Sequence, residues 1–121
     1  SAVAERGLYA WNSFVGTSDI GTYFDGMYVR RNATPDELWQ ASPLRHADRI
    51  TTPTLVLHSE SDFRCPIEQG EQLFRVLQSN GVPSEMLRFP GEGHELSRAG
   101  KPKHRVERFD AILEWHGRYL K

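Results

Sequence analysis

The sequence is short of several things, and each shortage removes a class of function. It holds a single cysteine, Cys65, in 121 residues, so no internal disulfide can form, which fits a reducing compartment. No apolar run approaches the roughly 18 residues of a membrane span, and the N-terminus lacks a basic region followed by an apolar stretch of the signal-peptide kind. A formal net charge of −1 provides no long-range field to gather nucleic acid or an anionic membrane, so any binding must come from a local site. Repeats, low-complexity tracts and linkers are absent. These shortages lead to the expectation of a cytoplasmic chain with neither nucleic acid nor membrane as partner.

What is present is ordinary in bulk and particular in arrangement. A chain that is 38% hydrophobic and 26% charged is a soluble globular protein of one domain's length. Two stretches organise it, TLVLHSESD over 54–62 and FPGEGH over 89–94. Residues 54–58, following Pro53, are too short for a helix, and their continuous pattern is that of a parallel strand covered on both faces. Cys65-Pro66 starts a helix in which Ile67, Gly70, Leu73, Phe74 and Leu77 recur at helical spacing until Asn80-Gly81 stops it. Residues 84–89 form the next strand. Strand, crossover helix and strand make a βαβ unit, whose crossover is right-handed.

The remaining segments carry weaker signals. Residues 1–3 read as the end of a strand that turns polar at Glu5 and Arg6 and breaks at Gly7. Residues 8–15 hold Tyr9, Trp11 and Phe14 without regular spacing and read as a loop with aromatic anchors. Turn chemistry over 16–21 follows, where Ser18 or Asp19 would cap a short helix through Tyr28. Thr34-Pro35-Asp36-Glu37 supplies an N-cap, a first-turn proline and a capping box for a helix that ends near Ala41 and is broken by Ser42-Pro43-Leu44. Residues 101–119 predict a closing helix with Val106, Phe109, Ile112, Leu113, His116 and Leu120 on its apolar side.

The chemistry sits at two points. Asp62 lies just beyond the carboxyl end of the first long strand and His94 just beyond that of the second, the edge where open α/β sheets place their sites. Neighbouring parallel strands are about 4.8 Å apart, so loops leaving their same ends bring a carboxylate to an imidazole, within about 2.6–3.2 Å for a working pair. Such a pair is what charge-relay chemistry needs. A plainer role stays open for each: Asp62 as a cap on the helix that begins near Pro66, His94 as a loop histidine. Gly91 and Gly93 around His94 favour a backbone bent to present a ring. Other residues carry less. Cys65 before Pro66 at a helix start serves packing more often than nucleophilic attack. His58, His94 and Asp62 match no recognised metal spacing. The run Arg98, Lys101, Lys103, Arg105 and Arg108 reads as a solvated helix start rather than a phosphate or nucleic-acid site. Trp11, Phe14, Tyr23 and Phe24 suit core packing as well as pocket lining. No metal or cofactor is called for.

At these residues the chain resembles a known family. SPLRHADRITTPTLVLHSESDFRCPIEQGEQLF, with FPGEGHELSRAGKPKHR after it, is similar to the C-terminal part of the catalytic domain of the prolyl oligopeptidase family of serine peptidases, nearest to acylaminoacyl peptidases. WNSFVGTSDIGTYF resembles the stretch that follows the nucleophile-bearing region there. The resemblance implies an α/β-hydrolase fold, with Asp62 as triad acid and His94 as triad base in the chain order Ser, Asp, His. It also implies a short peptide or acyl-peptide substrate. One departure is large: the sequence contains no G-x-S-x-G, so the nucleophilic serine and the oxyanion donor beside it are not among these residues. The expectation is a single partial domain over 1–121, the C-terminal portion of an α/β hydrolase with short parallel strands and flanking helices. Alone it should be inactive, and it should self-associate through a sheet edge or the aromatic segment 9–24. The alternative is a non-enzymatic α/β module that binds a partner through its sheet edge.

Overall fold

A computed structural model describes residues 1–120. Strands β1 (Ala2–Glu5), β2 (Thr54–Ser59) and β3 (Ser84–Phe89) form one parallel sheet in the order β1-β2-β3. Around it lie α1 (Trp11–Thr17), α2 (Gly21–Asp25), α3 (Pro35–Ala41), α4 (Ile67–Ser79), α5 (Leu96–Ala99) and α6 (Pro102–Tyr119). A widened turn at Gly26–Arg30 continues α2, and a tight helical turn at Pro43–Arg49 leads toward β2. The register places Glu5 opposite Leu57 and Ser59 opposite Phe89, so β2 and β3 end together and β1 stops two residues short of them, at the same edge of the sheet.

The middle strand explains the layering. Every residue of β2 is buried, and its side chains alternate between two cores. Val56 meets Leu73 and Leu77 of α4, with Ala47 and Val82. Leu55 and Leu57 meet Trp115 of α6, with Phe89 and Leu96. Fully buried leucines such as Leu57 and Leu77 each contribute about 1.5–3 kcal/mol by leaving water, which fixes the strand between its two helices. Gly81, at φ +69°, lets the chain leave α4 in the left-handed conformation that a helix stop favours. The α/β class, the parallel sheet with flanking helices, the crossover helix and the Thr34–Glu37 capping box all appear as the sequence predicts.

Two larger expectations fail, beside a smaller one: the N-cap of α2 is Ile20, without a side-chain hydrogen bond, and not Ser18 or Asp19, and α2 itself ends at Asp25. Of residues 8–15 only the first three are loop: α1 begins at Trp11, buries Trp11 and Phe14 against Leu38 and Cys65, and runs through Gly16 to Thr17. Its first turn has no local side-chain cap. Instead Gln69 Oε1 accepts the amides of Tyr9 and Ala10 at 2.8 Å each, and Ser42 Oγ accepts that of Trp11 at 2.8 Å. The start signal lies 31 to 60 residues away, where no local pattern reveals it. The second failure is the face of α6. Val106, Phe109, Leu113 and Leu120 are exposed at 60%, 59%, 68% and 60%, whereas Trp115 is buried and Ala111 and Ile112 pack beside it. The helix has two apolar rows, and the sheet takes the one carrying the tryptophan.

Candidate active site

The two strand ends deliver the two predicted residues to one place. Asp62 follows β2 in a tight turn, is 2% exposed, and has its carboxylate fixed from both sides. Oδ1 accepts the backbone amides of Arg64 at 3.0 Å and Cys65 at 2.8 Å. Oδ2 lies 2.9 Å from Nδ1 of His94. Because a carboxylate oxygen only accepts, Nδ1 is the donor, which leaves Nε2 as the basic nitrogen of the neutral ring. That ring keeps 29% of its side chain exposed and makes no hydrogen bond through Nε2 among the described residues. The separation falls in the range expected from the sequence. The capping role does not hold as expected: the N-cap of α4 is Pro66 with no side-chain hydrogen bond, and the second oxygen of Asp62 braces the turn at Arg64 and Cys65 that precedes the helix.

The loop carrying His94 is tied down on both sides. Gly91 stands at φ +70°, the left-handed turn that bends the chain after β3. Gly93 has no such requirement, and a Cβ there would meet Ser61 O at an ordinary 3.6 Å, so only one of the two flanking glycines is demanded by the backbone. Glu92, between them, is 5% exposed and joins three elements. Its carbonyl accepts the Ser61 amide at 2.9 Å, one residue before Asp62. Its carboxylate accepts the Lys101 amide at 3.1 Å and the His104 ring at 2.6 Å. Burial alone would raise the Glu92 carboxyl, but the His104 hydrogen bond, the Lys101 amide and the nearby charges together hold it below the ordinary carboxylate value. Sequence reasoning missed Glu92, whose only trace there is an acid between two glycines, two residues before the candidate base.

The other candidates resolve differently. His58 is 1% exposed on β2, with Nε2 donating to the Cys65 carbonyl at 2.7 Å and lying 3.8 Å from Asp62 Oδ2. Gly70 of α4 is needed for this ring, because a Cβ there would stand 2.6 Å from His58 Nδ1. With Nε2 turned to a carbonyl, His58 offers no lone pair toward Asp62 and His94. Among the described residues no group of three or more His, Cys, Asp or Glu side chains is placed to hold a metal ion. Cys65 is buried, and burial first, then the Asp62 charge, pushes its thiol up to about 11, the opposite of what a nucleophilic cysteine requires. Arg64 leaves the same turn outward and pairs with Asp19 at 2.7 Å, whose carboxyl it holds below its usual value. Phe63, next to Asp62, is 72% exposed at the rim. Trp11, Phe14 and Phe24 form one aromatic cluster, while Tyr23 projects outward at 69% exposure. Of the basic run, Arg108 turns inward to Glu5, whereas Arg98 and Lys103 pair along the surface with Glu95 and Glu107. No described helix is long and apolar enough to cross a membrane.

Chemically, a fixed carboxylate and an imidazole with one free nitrogen can take up a proton and return it. A nucleophile must be brought to them.

Comparison with known proteins bears on the family and the fold. The model of the prolyl oligopeptidase family matches residues 1–121. The uncharacterized peptidase YuxL of Bacillus subtilis is 43% identical over 122 residues, which covers 99% of this chain and 19% of that protein. Among solved structures, the uncomplexed acylaminoacyl peptidase of Pyrococcus horikoshii superposes with a TM-score of 0.90 at 32% identity, over 99% of this chain and 20% of that one. An acylaminoacyl peptidase in complex with Z-Gly-Gly-Phe-chloromethyl ketone gives 0.90 and 32% over the same shares, 99% and 20%. The chain thus spans about a fifth of the length of these relatives.

Proposed function

The chain belongs to the prolyl oligopeptidase family, and on that premise we propose that Asp62 and His94 are the acid and base of a Ser-His-Asp relay that hydrolyses peptide or acyl-peptide bonds. The nucleophilic serine comes from outside these 121 residues, and the whole forms an α/β hydrolase to which this chain adds the C-terminal portion of the catalytic domain. The serine attacks the acyl carbonyl, His94 Nε2 takes its proton and returns it to the leaving amine, and Asp62 holds the ring in the tautomer that leaves Nε2 free. The observation that carries this reading is the 2.9 Å contact from His94 Nδ1 to an Asp62 oxygen whose twin is locked by two backbone amides. Short peptides are the substrate class, supported by the tripeptide chloromethyl ketone held by one of the similar peptidases. A cytoplasmic setting suits the lone cysteine, which stays a thiol there. A sheet-edge binding module would have no use for a carboxylate turned onto a ring nitrogen, and relatives that are peptidases favour the enzyme.

The test has two arms. The full polypeptide that carries these residues is expected to hydrolyse a nitrophenyl ester and an acetylated peptide anilide, with both activities lost on His94→Ala. The 121-residue chain alone is expected to do neither. Hydrolysis that survives His94→Ala, or turnover by the isolated chain, sinks the proposal.

A further inference from the structure

Arg6, at the carboxyl end of β1, combines two unusual features. Its backbone stands at φ 45°, the left-handed conformation that a Cβ resists and glycine adopts freely. A glycine follows immediately, but it serves another purpose: a Cβ on Gly7 would fall 2.3 Å from the Tyr9 hydroxyl oxygen. The sharp turn therefore falls on a residue with a long side chain. That side chain is used, since Nη1 of Arg6 donates to the carbonyl oxygen of His94 at 2.6 Å. Backbone strain at a non-glycine residue persists only where the surroundings over-determine it, and such residues gather at functional sites.

The geometry of the sheet explains why an arginine is required. β1 and β3 flank β2, so the two strands run about 9.6 Å apart, twice the strand spacing. Only a long side chain crossing the end of β2 bridges that gap. At the near side the Arg6 amide continues the strand by donating to Leu57 O at 3.1 Å. Glu5 lies 4.0 Å from Arg6 Nε and is itself gripped by Arg108 of α6, which steadies the base of the guanidinium. At the far side the His94 carbonyl meets no backbone amide among the described residues. Glu92 restrains the loop before the histidine, and Arg6 restrains the histidine itself.

We propose that Arg6 is a positioning residue for His94: its guanidinium holds the histidine carbonyl, and through it the tilt of the ring against Asp62, while the left-handed turn at position 6 is what aims it. Arg6 acts through the base proposed above, so its role rests on that reading. Each strand then contributes one part, β1 the brace, β2 the acid and β3 the base. A hydrogen bond from a charged donor is about twice as strong as a neutral one, and a ring displaced by about 1 Å is enough to cost on the order of 100-fold in rate.

Arg6→Gly and Arg6→Lys separate the contact from the strain. Glycine relieves the backbone but removes the guanidinium, so in the full polypeptide Arg6→Gly is expected to melt no lower than wild type while kcat falls about tenfold to 100-fold with KM within about twofold. Arg6→Lys, which restores one charged donor, is expected to recover part of that loss. A wild-type kcat in Arg6→Gly, or a raised KM with kcat intact, overturns the proposal, the latter by making Arg6 a substrate-binding group. NMR of the 121-residue chain keeps the two possible failures apart. The hydrogen-bonded Nδ1 proton of His94 is expected to be visible in wild type and Arg6→Lys and lost in Arg6→Gly. If His94→Ala leaves hydrolysis untouched, the relay fails, and the NMR comparison still decides whether Arg6 places the ring; an undisturbed Nδ1 proton in Arg6→Gly refutes it.

Discussion

Replacing Asp62 by asparagine or by alanine separates what this carboxylate does for the fold from what it does for the histidine. In Asp62→Asn the amide has one oxygen and one nitrogen to place. The oxygen must face the amides of Arg64 and Cys65, because two donors at 3.0 and 2.8 Å admit only an acceptor. The nitrogen is then driven against Nδ1 of His94, where donor meets donor. The ring escapes by moving its proton to Nε2, the wrong tautomer for a base, and loss of a triad carboxylate in this manner lowers kcat about 10⁴-fold. Stability changes little, by about 1 kcal/mol, since both amides keep a partner. Asp62→Ala adds the structural loss: the Cys65 amide is left buried without an acceptor, about 1–3 kcal/mol, and the Arg64 amide exchanges a charged partner for water, about 1 kcal/mol more. A total of about 2–4 kcal/mol corresponds to a melting point lower by roughly 10 °C for a chain of this size. Ester hydrolysis by the full polypeptide and thermal unfolding of the 121-residue chain read the two effects separately. An asparagine variant that melts as low as the alanine variant, or that hydrolyses within about tenfold of wild type, would refute the reasoning.

Two further outcomes are expected. The Glu92 carboxyl is held below its ordinary value of 4.5 in the folded chain, so folding releases protons there; its stabilisation is complete above that value and drains as pH falls through the lowered one. Wild type should therefore lose stability more steeply than Glu92→Gln between about pH 5 and 3, with the surface carboxylates that Arg30, Arg64, Arg98 and Arg118 depress cancelling between the two proteins; parallel curves from acid titration of unfolding would dismiss Glu92 as the sensitive group. Self-association of the isolated chain is expected through the exposed α6 row rather than through the aromatic segment near α1, whose Trp11 and Phe14 are buried. Static light scattering should show mass rising with concentration in wild type and less so in Leu113→Lys, and a wild type that stays monomeric throughout contradicts it.

The legible parts of this fold are those whose signals are local. β2 announces itself by a continuous apolar run, α4 by its spacing and its Asn80-Gly81 stop, α3 by a capping box confined to Thr34 and Glu37. α1 is illegible because Gln69 holds the two residues that lead into it and Ser42 the amide of its first residue, partners brought near only by the finished fold. On α6 the sequence shows two apolar rows and gives no means of choosing between them. The row packed on the sheet is the one that carries Trp115, with Ala111 and Ile112, against Leu55, Leu57 and Phe89.

The site divides along the same line, with a consequence for how such sites are recognised. Asp62 and His94 can be read because each ends a strand, and strand ends are where a parallel sheet concentrates chemistry. Their supports cannot be read this way. Arg6 looks like the polar fraying of a short strand and Glu92 like a solvated loop acid, yet each is at least partly buried and hydrogen-bonded across 9 to 88 residues. A polar side chain that leaves water must recover its hydrogen bonds, so its presence in the interior implies a partner that local pattern does not name. In the sequence the only trace of these contacts is an unexplained polar residue next to a strand end. Arg6 and Glu92 share that position, at β1 and β3, flanking the strand that carries Asp62. The carboxylate and imidazole alone would mark a proton relay; the braces on either side are what turn two loops into a fixed geometry.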